Sequence, residues 1–102
     1  MAARLVFRPA ARADLNKLYD WIAERAGAGS ALAYVLHIRE KAGRLAVYPG
    51  LGSPHDVLGP GVRSISYRRR TVILSRLGGD AVEIIRVLDG GRDLSRSMQG
   101  DD

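Results

Sequence analysis

The fold is decided by three β-prone runs, Arg63-Ser64-Ile65-Ser66-Tyr67, Thr71-Val72-Ile73-Leu74-Ser75-Arg76-Leu77 and Ala81-Val82-Glu83-Ile84-Ile85-Arg86-Val87-Leu88. Two turn-forming segments separate them, the basic Arg68-Arg69-Arg70 and the glycine-rich Gly78-Gly79-Asp80. Short runs rich in β-branched residues, with turns of this kind between them, predict an antiparallel three-stranded meander.

The N-terminal half predicts a strand and then two helices. Leu5-Val6-Phe7 is a short apolar run that stops at Arg8-Pro9, because a residue before proline is held extended. A helix begins at Pro9, and apolar residues recur along it at spacings of three and four: Leu15, Leu18, Tyr19, Ile22, Ala23 and Ala26. We expect Gly27 and Gly29 to end this helix and Ser30 to cap a second one. The inward stripe of the second helix consists of Ala31, Val35, Ile38, Ala42, Leu45 and Ala46.

The predicted fold class is α+β. The second helix should end at Pro49-Gly50, and residues 49–61 should form a long loop anchored by Leu51, Val57 and Leu58. A small antiparallel sheet, made of the N-terminal strand and the three-strand meander, then packs against a two-helix hairpin in the order β-α-α-β-β-β. We expect one sheet face to carry Val72, Leu74, Val82 and Ile84, and the other to carry Ile73, Ile85 and Val87. The chain length predicts a single domain over 1–102, and disorder of the tail 94–102 is left open.

The chain has a formal net charge of +5, and only Lys17 and Lys41 among its 16 basic residues are not arginine. Five arginines lie between positions 63 and 76 with no acidic residue among them. Guanidinium groups bind carboxylates and phosphates, so this charge indicates an acidic protein or a nucleic acid as partner.

Other classes of site and location are disfavoured by composition. The absence of cysteine excludes disulfides and thiolate metal sites, and no cluster of His, Asp and Glu has metal-ligand spacing. We therefore predict no metal and no cofactor. The N-terminus does not resemble a signal peptide and no run approaches the length of a membrane span, so we expect a cytoplasmic protein without a membrane partner.

Five segments carry a family resemblance: Phe7-Arg8-Pro9-Ala10-Ala11-Arg12-Ala13-Asp14-Leu15, Tyr19-Asp20-Trp21-Ile22-Ala23, Leu45-Ala46-Val47-Tyr48-Pro49-Gly50-Leu51-Gly52, Gly61-Val62-Arg63 and Ile84-Ile85-Arg86-Val87-Leu88-Asp89-Gly90-Gly91-Arg92-Asp93. Each is weakly specific by itself, but the five occur in order between Leu5 and Asp93. Together they resemble the RelE/ParE superfamily of toxins from type II toxin–antitoxin systems, and within it the ParE branch.

The resemblance implies a toxin that is not an enzyme. It would inhibit DNA gyrase by stabilising the cleaved DNA complex, and it could contact DNA indirectly. A cognate acidic, ParD-like antitoxin would neutralise it in a toxin–antitoxin hetero-oligomer. Two alternatives stay open: a RelE-like ribosome-dependent mRNA endonuclease, and an inactive member that only binds antitoxin.

The endonuclease alternative meets a chemical difficulty. The resemblance to the RelE branch implies a Tyr or His just after the last strand, but residues 89–102 contain no Tyr, His or Lys. An endonuclease site would have to use Arg63, Tyr67, Arg86 and Arg92. Arginine stays protonated and is a poor general base. The two histidines add little, because His37 lies beside the apolar stripe of the second helix and His55 stands alone in the loop.

The residues expected to bind the antitoxin are Trp21, Tyr34, Arg63 and Arg86, and those expected to bind the target are Arg68, Arg69, Arg70 and Arg92. For each a structural reading stays open. The two aromatic residues could belong to the core, and Arg68-Arg69-Arg70 could be a solvated hairpin tip. Arg63 and Arg86 could pair within the chain, with Glu83 or Asp93, and Arg92 could cap the sheet.

Overall fold

A computed structural model describes residues 3–89. Its elements, in chain order, are β1 (Arg4–Phe7), α1 (Pro9–Ala26), α2 (Ala28–Val47), β2 (Ser53–Pro54), a 3-10 turn (Asp56–Leu58), β3 (Arg63–Tyr67), β4 (Thr71–Gly78) and β5 (Ala81–Leu88). The predicted α+β class and order of elements are confirmed, and the two-residue β2 is an addition from within the loop. The prediction of one domain over 1–102 and the tail 94–102 extend outside the described residues.

The sheet has the strand order β1-β5-β4-β3-β2. Strands β3, β4 and β5 form the predicted antiparallel meander. β1 pairs parallel with β5, with Leu5 opposite Val82 and Phe7 opposite Ile84. The sheet is therefore mixed, and the prediction that it is antiparallel is wrong for the N-terminal strand. This parallel pairing requires a long connection, which the helical hairpin supplies. It also places β5 between two neighbours, in keeping with its apolar sequence.

The helical hairpin turns at a single residue, Gly27. Its φ of 93° lies in the left-handed region that glycine adopts without a steric penalty. The Gly27 N–H donates to the Ala23 carbonyl and ends α1, while the Gly27 carbonyl accepts from the Ala31 N–H and starts α2. The second helix therefore begins at Ala28, and the prediction that Ser30 caps it is wrong because Ser30 lies inside the first turn.

The main core lies between the helical hairpin and one face of the sheet. It consists of buried residues from both helices and from β4 and β5: Ala11, Leu15, Leu18, Ile38, Ala42, Leu45, Ile73, Val82, Ile84 and Val87. A smaller cluster on the other face contains Val62, Leu74 and Ile85, with Leu58, Val72 and Leu88 packed against it.

The prediction of which residues share a sheet face is wrong for β5. Val82 and Ile84 join Ile73 and Val87 in the main core, whereas Ile85 packs with Leu74. The cause is a β-bulge: Leu74 pairs with Arg86 but Ser75 pairs with Ile84, so one residue of β5 has no partner. An extra residue shifts the two-residue alternation from that point onward.

The loop 49–61, which precedes β3 in the chain, lies alongside that strand. Leu51 and Leu58 pack against the two apolar clusters as predicted. The third predicted anchor, Val57, is wrong, since its side chain is 84% exposed. It lies in the middle of the 3-10 turn Asp56–Leu58, where neighbouring side chains point in different directions and Leu58 takes the inward one. Within residues 3–89, no helix is both long enough and apolar enough to cross a membrane.

Candidate functional site

Arg63, at the start of β3, binds backbone carbonyls of the loop 49–61. Its Nε donates to the Leu51 carbonyl at 3.3 Å and its Nη2 to the Gly52 carbonyl at 2.9 Å. Gly52 has a φ of 91°, and a Cβ there would overlap the Ser64 carbonyl oxygen, so only glycine lets the loop approach β3 this closely. Pairing of Arg63 with Glu83 is not observed, because Glu83 accepts from Arg8 Nη2 at 2.8 Å.

Arg86, on β5, forms a two-pronged ion pair with Asp14 of α1. Arg86 Nε and Nη2 donate to the two Asp14 carboxylate oxygens at 2.8 and 2.9 Å, and the Val87 N–H donates to the same carboxylate at 2.9 Å. The hydrogen bond to Asp14 raises the pKa of the Arg86 guanidinium above its ordinary value. The partner observed for Arg86 is therefore Asp14 and not Glu83, while the other predicted partner, Asp93, lies outside the described residues.

Sequence reasoning missed Asp14, although a signal for it existed. Asp14 stands one helical turn before Leu18 on α1, so the apolar spacing places it beside the buried face, where an aspartate needs a partner. The pairing of β1 with β5 ends at Ile84. Asp14 thus accepts a backbone N–H of β5 beyond the point where β1 stops.

Trp21, on α1, presents an exposed ring between two arginines. Its side chain is 39% exposed, and the guanidinium carbons of Arg25 and Arg70 lie 4.1 and 4.5 Å from a Trp21 ring centroid. Arg70 also donates from Nε to Asp89 Oδ1 at 3.1 Å. Arg70 is consequently fixed against α1 and the end of β5, although the sequence placed it with Arg68 and Arg69 in one basic tip.

Tyr34, on α2, belongs to a buried polar chain. Its hydroxyl lies 2.8 Å from Thr71 Oγ1, and Thr71 Oγ1 donates to Asp89 Oδ1 at 3.0 Å. Since the single hydroxyl proton of Thr71 goes to Asp89, Tyr34 is the donor to Thr71. The Tyr34 ring also meets the Tyr67 ring edge to face, with centroids 5.2 Å apart. Tyr34 is therefore a half-buried packing residue, unlike the exposed Trp21.

The turn between β3 and β4 is formed by Arg68 and Arg69. Their φ angles are 55° and 56°, and the Arg70 N–H donates to the Tyr67 carbonyl at 3.2 Å, which is the pattern of a type I′ turn. Tyr67 pairs with Thr71, so Arg70 is the third residue of the connection. Non-glycine residues pay about 1–2 kcal/mol each in the left-handed region. Both side chains are exposed. The sequence predicted a turn here but not its strained conformation.

An open cleft of about 550 Å³ lies between α2 and the end of β3, and its lining residues are His37, Glu40, Lys41, Arg44 and Tyr67. Lys41 Nζ donates to the Ser66 carbonyl at 2.6 Å and lies 5.9 Å from the Tyr67 ring centroid. The Arg68 guanidinium lies 5.5 Å from the same centroid. Below, this group is called the basic cleft.

The residues named for an endonuclease do not form one cluster. Arg63 and Tyr67 stand at opposite ends of β3, about 13 Å apart at the rise of a strand. Tyr67 contacts Tyr34, His37, Lys41 and Arg68, while Arg63 and Arg86 bind a loop and α1. Arg92 lies outside the described residues. Among residues 3–89 no group of three or more His, Asp and Glu side chains could hold a metal ion.

Comparison with known proteins places this geometry in a family. A family model described as the ParE toxin of the type II toxin–antitoxin system parDE matches residues 5–94. The chain belongs to this ParE toxin family. It is thus the toxin component of a type II toxin–antitoxin system, which confirms the resemblance stated from the sequence.

Several relatives are similar to this ParE-family toxin. Toxin ParE1 of Mycobacterium tuberculosis is 29% identical over 96% of this chain and 100% of the relative. Toxin ParE3 of Caulobacter vibrioides is 34% identical over 83% of this chain and 84% of the relative. Among solved structures, the chromosomal ParDE system of Pseudomonas aeruginosa gives a TM-score of 0.77 at 30% identity, covering 89% of this chain and 98% of that one.

A second solved structure, the RelBE2 toxin–antitoxin complex of Mycobacterium tuberculosis, shares the fold. Its TM-score is 0.64 at 24% identity, over 90% of this chain and 95% of that chain. At this level of identity the likeness concerns the fold only. It carries no information on whether the ParE-family toxin cleaves RNA.

Proposed function

We propose that this toxin inhibits DNA gyrase in the cytoplasm by stabilising the cleaved DNA complex, and that it acts without chemistry of its own. The observation that carries the proposal is the match of the ParE toxin model over residues 5–94, which spans both helices and every strand. Gyrase inhibition is the activity that membership of the ParE branch implies.

The geometry around the arginines supports a non-enzymatic toxin. Cleavage of RNA by its own 2′-hydroxyl needs a general base, a general acid and cations near the phosphate. Arg63 and Arg86 supply only cations, and the one sheet residue with a titratable hydroxyl, Tyr67, is packed against Tyr34 at the other end of β3. Among residues 3–89, the only carboxylate on these two arginines is Asp14, and it already accepts three hydrogen bonds from Arg86 and the Val87 N–H. The described residues therefore supply no acid/base pair for the proton transfers of a RelE-like reaction.

The antitoxin is proposed to be acidic and to fold on this toxin. A net charge of +5 favours a partner of opposite charge, and the Pseudomonas neighbour is described as a ParDE toxin–antitoxin system. Trp21 is the best-placed anchor, because its large ring is exposed and held rigid by Arg25 and Arg70. Tyr34 is half-buried and its hydroxyl is bonded to Thr71, so it offers less surface than Trp21. Arg63 and Arg86 offer only the N–H groups that their internal partners leave unused.

Target contact is proposed for Arg68, Arg69, Arg70 and Arg92. Of these, Arg68 and Arg69 are exposed in the β3–β4 turn and have no carboxylate partner among residues 3–89. Arg70 is tied to Asp89, so we expect it to hold the turn in place more than to reach a target. Arg92 is proposed from the sequence alone, since it lies outside the described residues.

The test follows two targets in parallel. Toxin freed from its antitoxin is added to purified gyrase with supercoiled plasmid, and the same preparation is added to an in vitro translation reaction in which mRNA length is followed. Linear DNA that accumulates while mRNA stays intact is the expected result. Cleaved mRNA with unaffected gyrase would replace the proposal with a RelE-like endonuclease. If neither target responds while antitoxin still binds, the chain is an inactive member.

A further inference from the structure

The basic cleft carries positive charge that the fold does not neutralise. Several arginines at other sites in the described chain have carboxylate partners, among them Arg8 with Glu83, Arg70 with Asp89 and Arg86 with Asp14. Within residues 3–89, no carboxylate lies within ion-pair distance of the cleft cations Lys41, Arg44 and Arg68, or of Arg69, which follows Arg68 in the turn beside the cleft. Only one acidic side chain, Glu40, lines the cleft.

Tyr67 holds two of these cations in place before any ligand arrives. Its ring is fixed edge to face against Tyr34, with Lys41 Nζ at 5.9 Å and the Arg68 guanidinium at 5.5 Å from its centroid. Lys41 uses one of its three N–H groups on the Ser66 carbonyl. Two donors remain for a ligand, and the cost of ordering the side chain has already been met by the fold.

The turn itself indicates that its arginines are required. Both central residues adopt left-handed angles that Asn-Gly would adopt with less strain, yet both are long cationic residues with exposed side chains. Backbone strain of this kind persists where the surrounding structure holds it, and it concentrates at binding sites. Stability is therefore given up at a turn that exposes the cationic side chains of Arg68 and Arg69.

The chemistry of the cleft fits phosphates better than an acidic peptide. A peptide that folds on its partner needs apolar pockets for anchor side chains. The lining offers no aliphatic side chain and only two rings, those of Tyr67 and His37, while the exposed Leu32 and Leu36 of α2 are not among its residues. We propose that the basic cleft binds the phosphodiester backbone of a nucleic acid, with Lys41, Arg44, Arg68 and Arg69 contacting successive phosphates.

This inference goes beyond gyrase inhibition, which does not require the toxin to touch nucleic acid itself. The experiment uses the full chain, free of antitoxin and without gyrase, so either proposal can fail without the other. A fluorescein-labelled DNA duplex of arbitrary sequence is titrated with toxin over a series of salt concentrations, and binding is read by fluorescence anisotropy. For four phosphate contacts the slope of log K against log salt is expected to be about −3.6.

The decisive variant is Arg68→Asn/Arg69→Gly, which removes two charges and gives the turn its preferred sequence, so the fold is retained. We expect its salt slope to be smaller by about 2 and its affinity at about 0.1 M salt to fall by about 50-fold. A second variant, Lys41→Gln/Arg44→Gln, removes the two cations of α2 and should have a similar effect. A matched single-stranded RNA, titrated with the same variants, identifies which nucleic acid the cleft prefers.

The matched control is Arg4→Ala/Arg12→Ala, which has the same net charge as the turn variant. Arg4 and Arg12 are exposed residues of β1 and α1, and β1 lies at the opposite edge of the sheet from β2 and β3. The affinity of this control variant for the DNA duplex, and the salt slope of its binding, should equal those of the parent chain. If the control loses as much affinity as the turn variant, binding is diffuse attraction to net charge and the proposal is wrong. Unchanged nucleic-acid binding in both cleft variants, together with weakened antitoxin binding, would assign the cleft to a protein partner instead.

Discussion

Asp14 is a single side chain on which α1 and β5 both depend. It accepts three hydrogen bonds, two from Arg86 and one from the Val87 N–H, and its side chain is only 12% exposed. In Asp14→Ala the Arg86 guanidinium and a strand N–H lose their acceptor together. We expect the free energy of unfolding to fall by about 2–3 kcal/mol, measured by urea denaturation.

A surface ion pair gives the control for this prediction. Arg4 and Asp80 pair at 3.3 Å, but both side chains are largely exposed. Solvent screens such a pair, so Arg4→Ala should leave the free energy of unfolding unchanged within error. Equal losses in the two variants would mean that the Asp14 contact adds no more than a solvated pair does.

Thr71 is the second side chain that supports its surroundings. It is fully buried, receives the Tyr34 hydroxyl proton and passes its own to Asp89. Thr71→Val keeps the side-chain volume but leaves the Tyr34 hydroxyl without an acceptor. The free energy of unfolding, measured by chemical denaturation, should therefore fall by about 1–2 kcal/mol. Ser66→Ala, on the exposed side of β3, is the matched change and should cost little. If Thr71→Val leaves the free energy of unfolding unchanged, water replaces the missing hydroxyl as the acceptor for Tyr34.

The β3–β4 turn is strained by its own sequence. Arg68 and Arg69 both have positive φ angles, whereas Asn-Gly is the preferred pair for a type I′ turn. Arg68→Asn/Arg69→Gly should therefore raise the free energy of unfolding by about 1–2 kcal/mol, measured by thermal and urea denaturation. A destabilised variant would mean that the arginine side chains contribute contacts worth more than the strain. This gain in stability, combined with a loss of binding, would separate the role of the turn in recognition from its role in folding.

The loop that precedes β3 depends on one glycine. A Cβ on Gly52 would overlap the Ser64 carbonyl oxygen, and the displaced loop would also lose the Gly52 carbonyl as an acceptor for Arg63. Gly52→Ala should lower the free energy of unfolding by about 2–4 kcal/mol. Gly43→Ala, inside α2 with nothing near its Cβ position, should raise it by about 0.5–1 kcal/mol. If both changes have the same sign, the close approach of the loop to β3 is not what constrains Gly52.

The sequence predicts those elements whose signals are local. The spacing of Leu15 and Leu18, the glycine at 27 and the alternating runs of β4 and β5 suffice for two helices and a meander. Which residues of β5 lie on which face of the sheet was not predictable from the sequence. The bulge at Ile85 arises from the register between β4 and β5, and neither strand contains a sequence signal for it. The parallel pairing of β1 is likewise a long-range property, set by how both helices cross the sheet.

The candidate site was predicted less well than the fold, for the same physical reason. A cluster of arginines is visible in the sequence, but whether a given one is free depends on distant partners. Arg86 is neutralised by Asp14, 72 positions away, while Arg70 lies on Trp21 of α1. Arg68, Arg69 and Arg70 are all exposed at the turn, but within residues 3–89 only Arg70 of the three has a carboxylate partner, Asp89. The basic cleft is formed by residues of both α2 and β3, so it cannot be predicted from any single segment of the sequence.

The molecule as a whole presents two distinct surfaces. Trp21, with Arg25 and Arg70, lies on α1, whereas the basic cleft is built on α2 and the end of β3. Arg70 connects them, because it follows the turn directly and lies against the Trp21 ring. A toxin that must be both active and neutralised can use one surface for its target and the other for its antitoxin, provided that the bound antitoxin also blocks access to the target.

This division predicts a separation of functions at Trp21. In Trp21→Ala an exposed, rigid aromatic anchor is lost, so the affinity for the cognate antitoxin should fall by about 30-fold or more, measured by isothermal titration calorimetry. Inhibition of purified gyrase by free toxin should remain within twofold of the parent chain. Tyr48→Ala removes another exposed aromatic ring, at the end of α2, and should leave both activities unchanged. Loss of gyrase inhibition with antitoxin affinity intact would reverse the assignment and place the target, not the antitoxin, on α1.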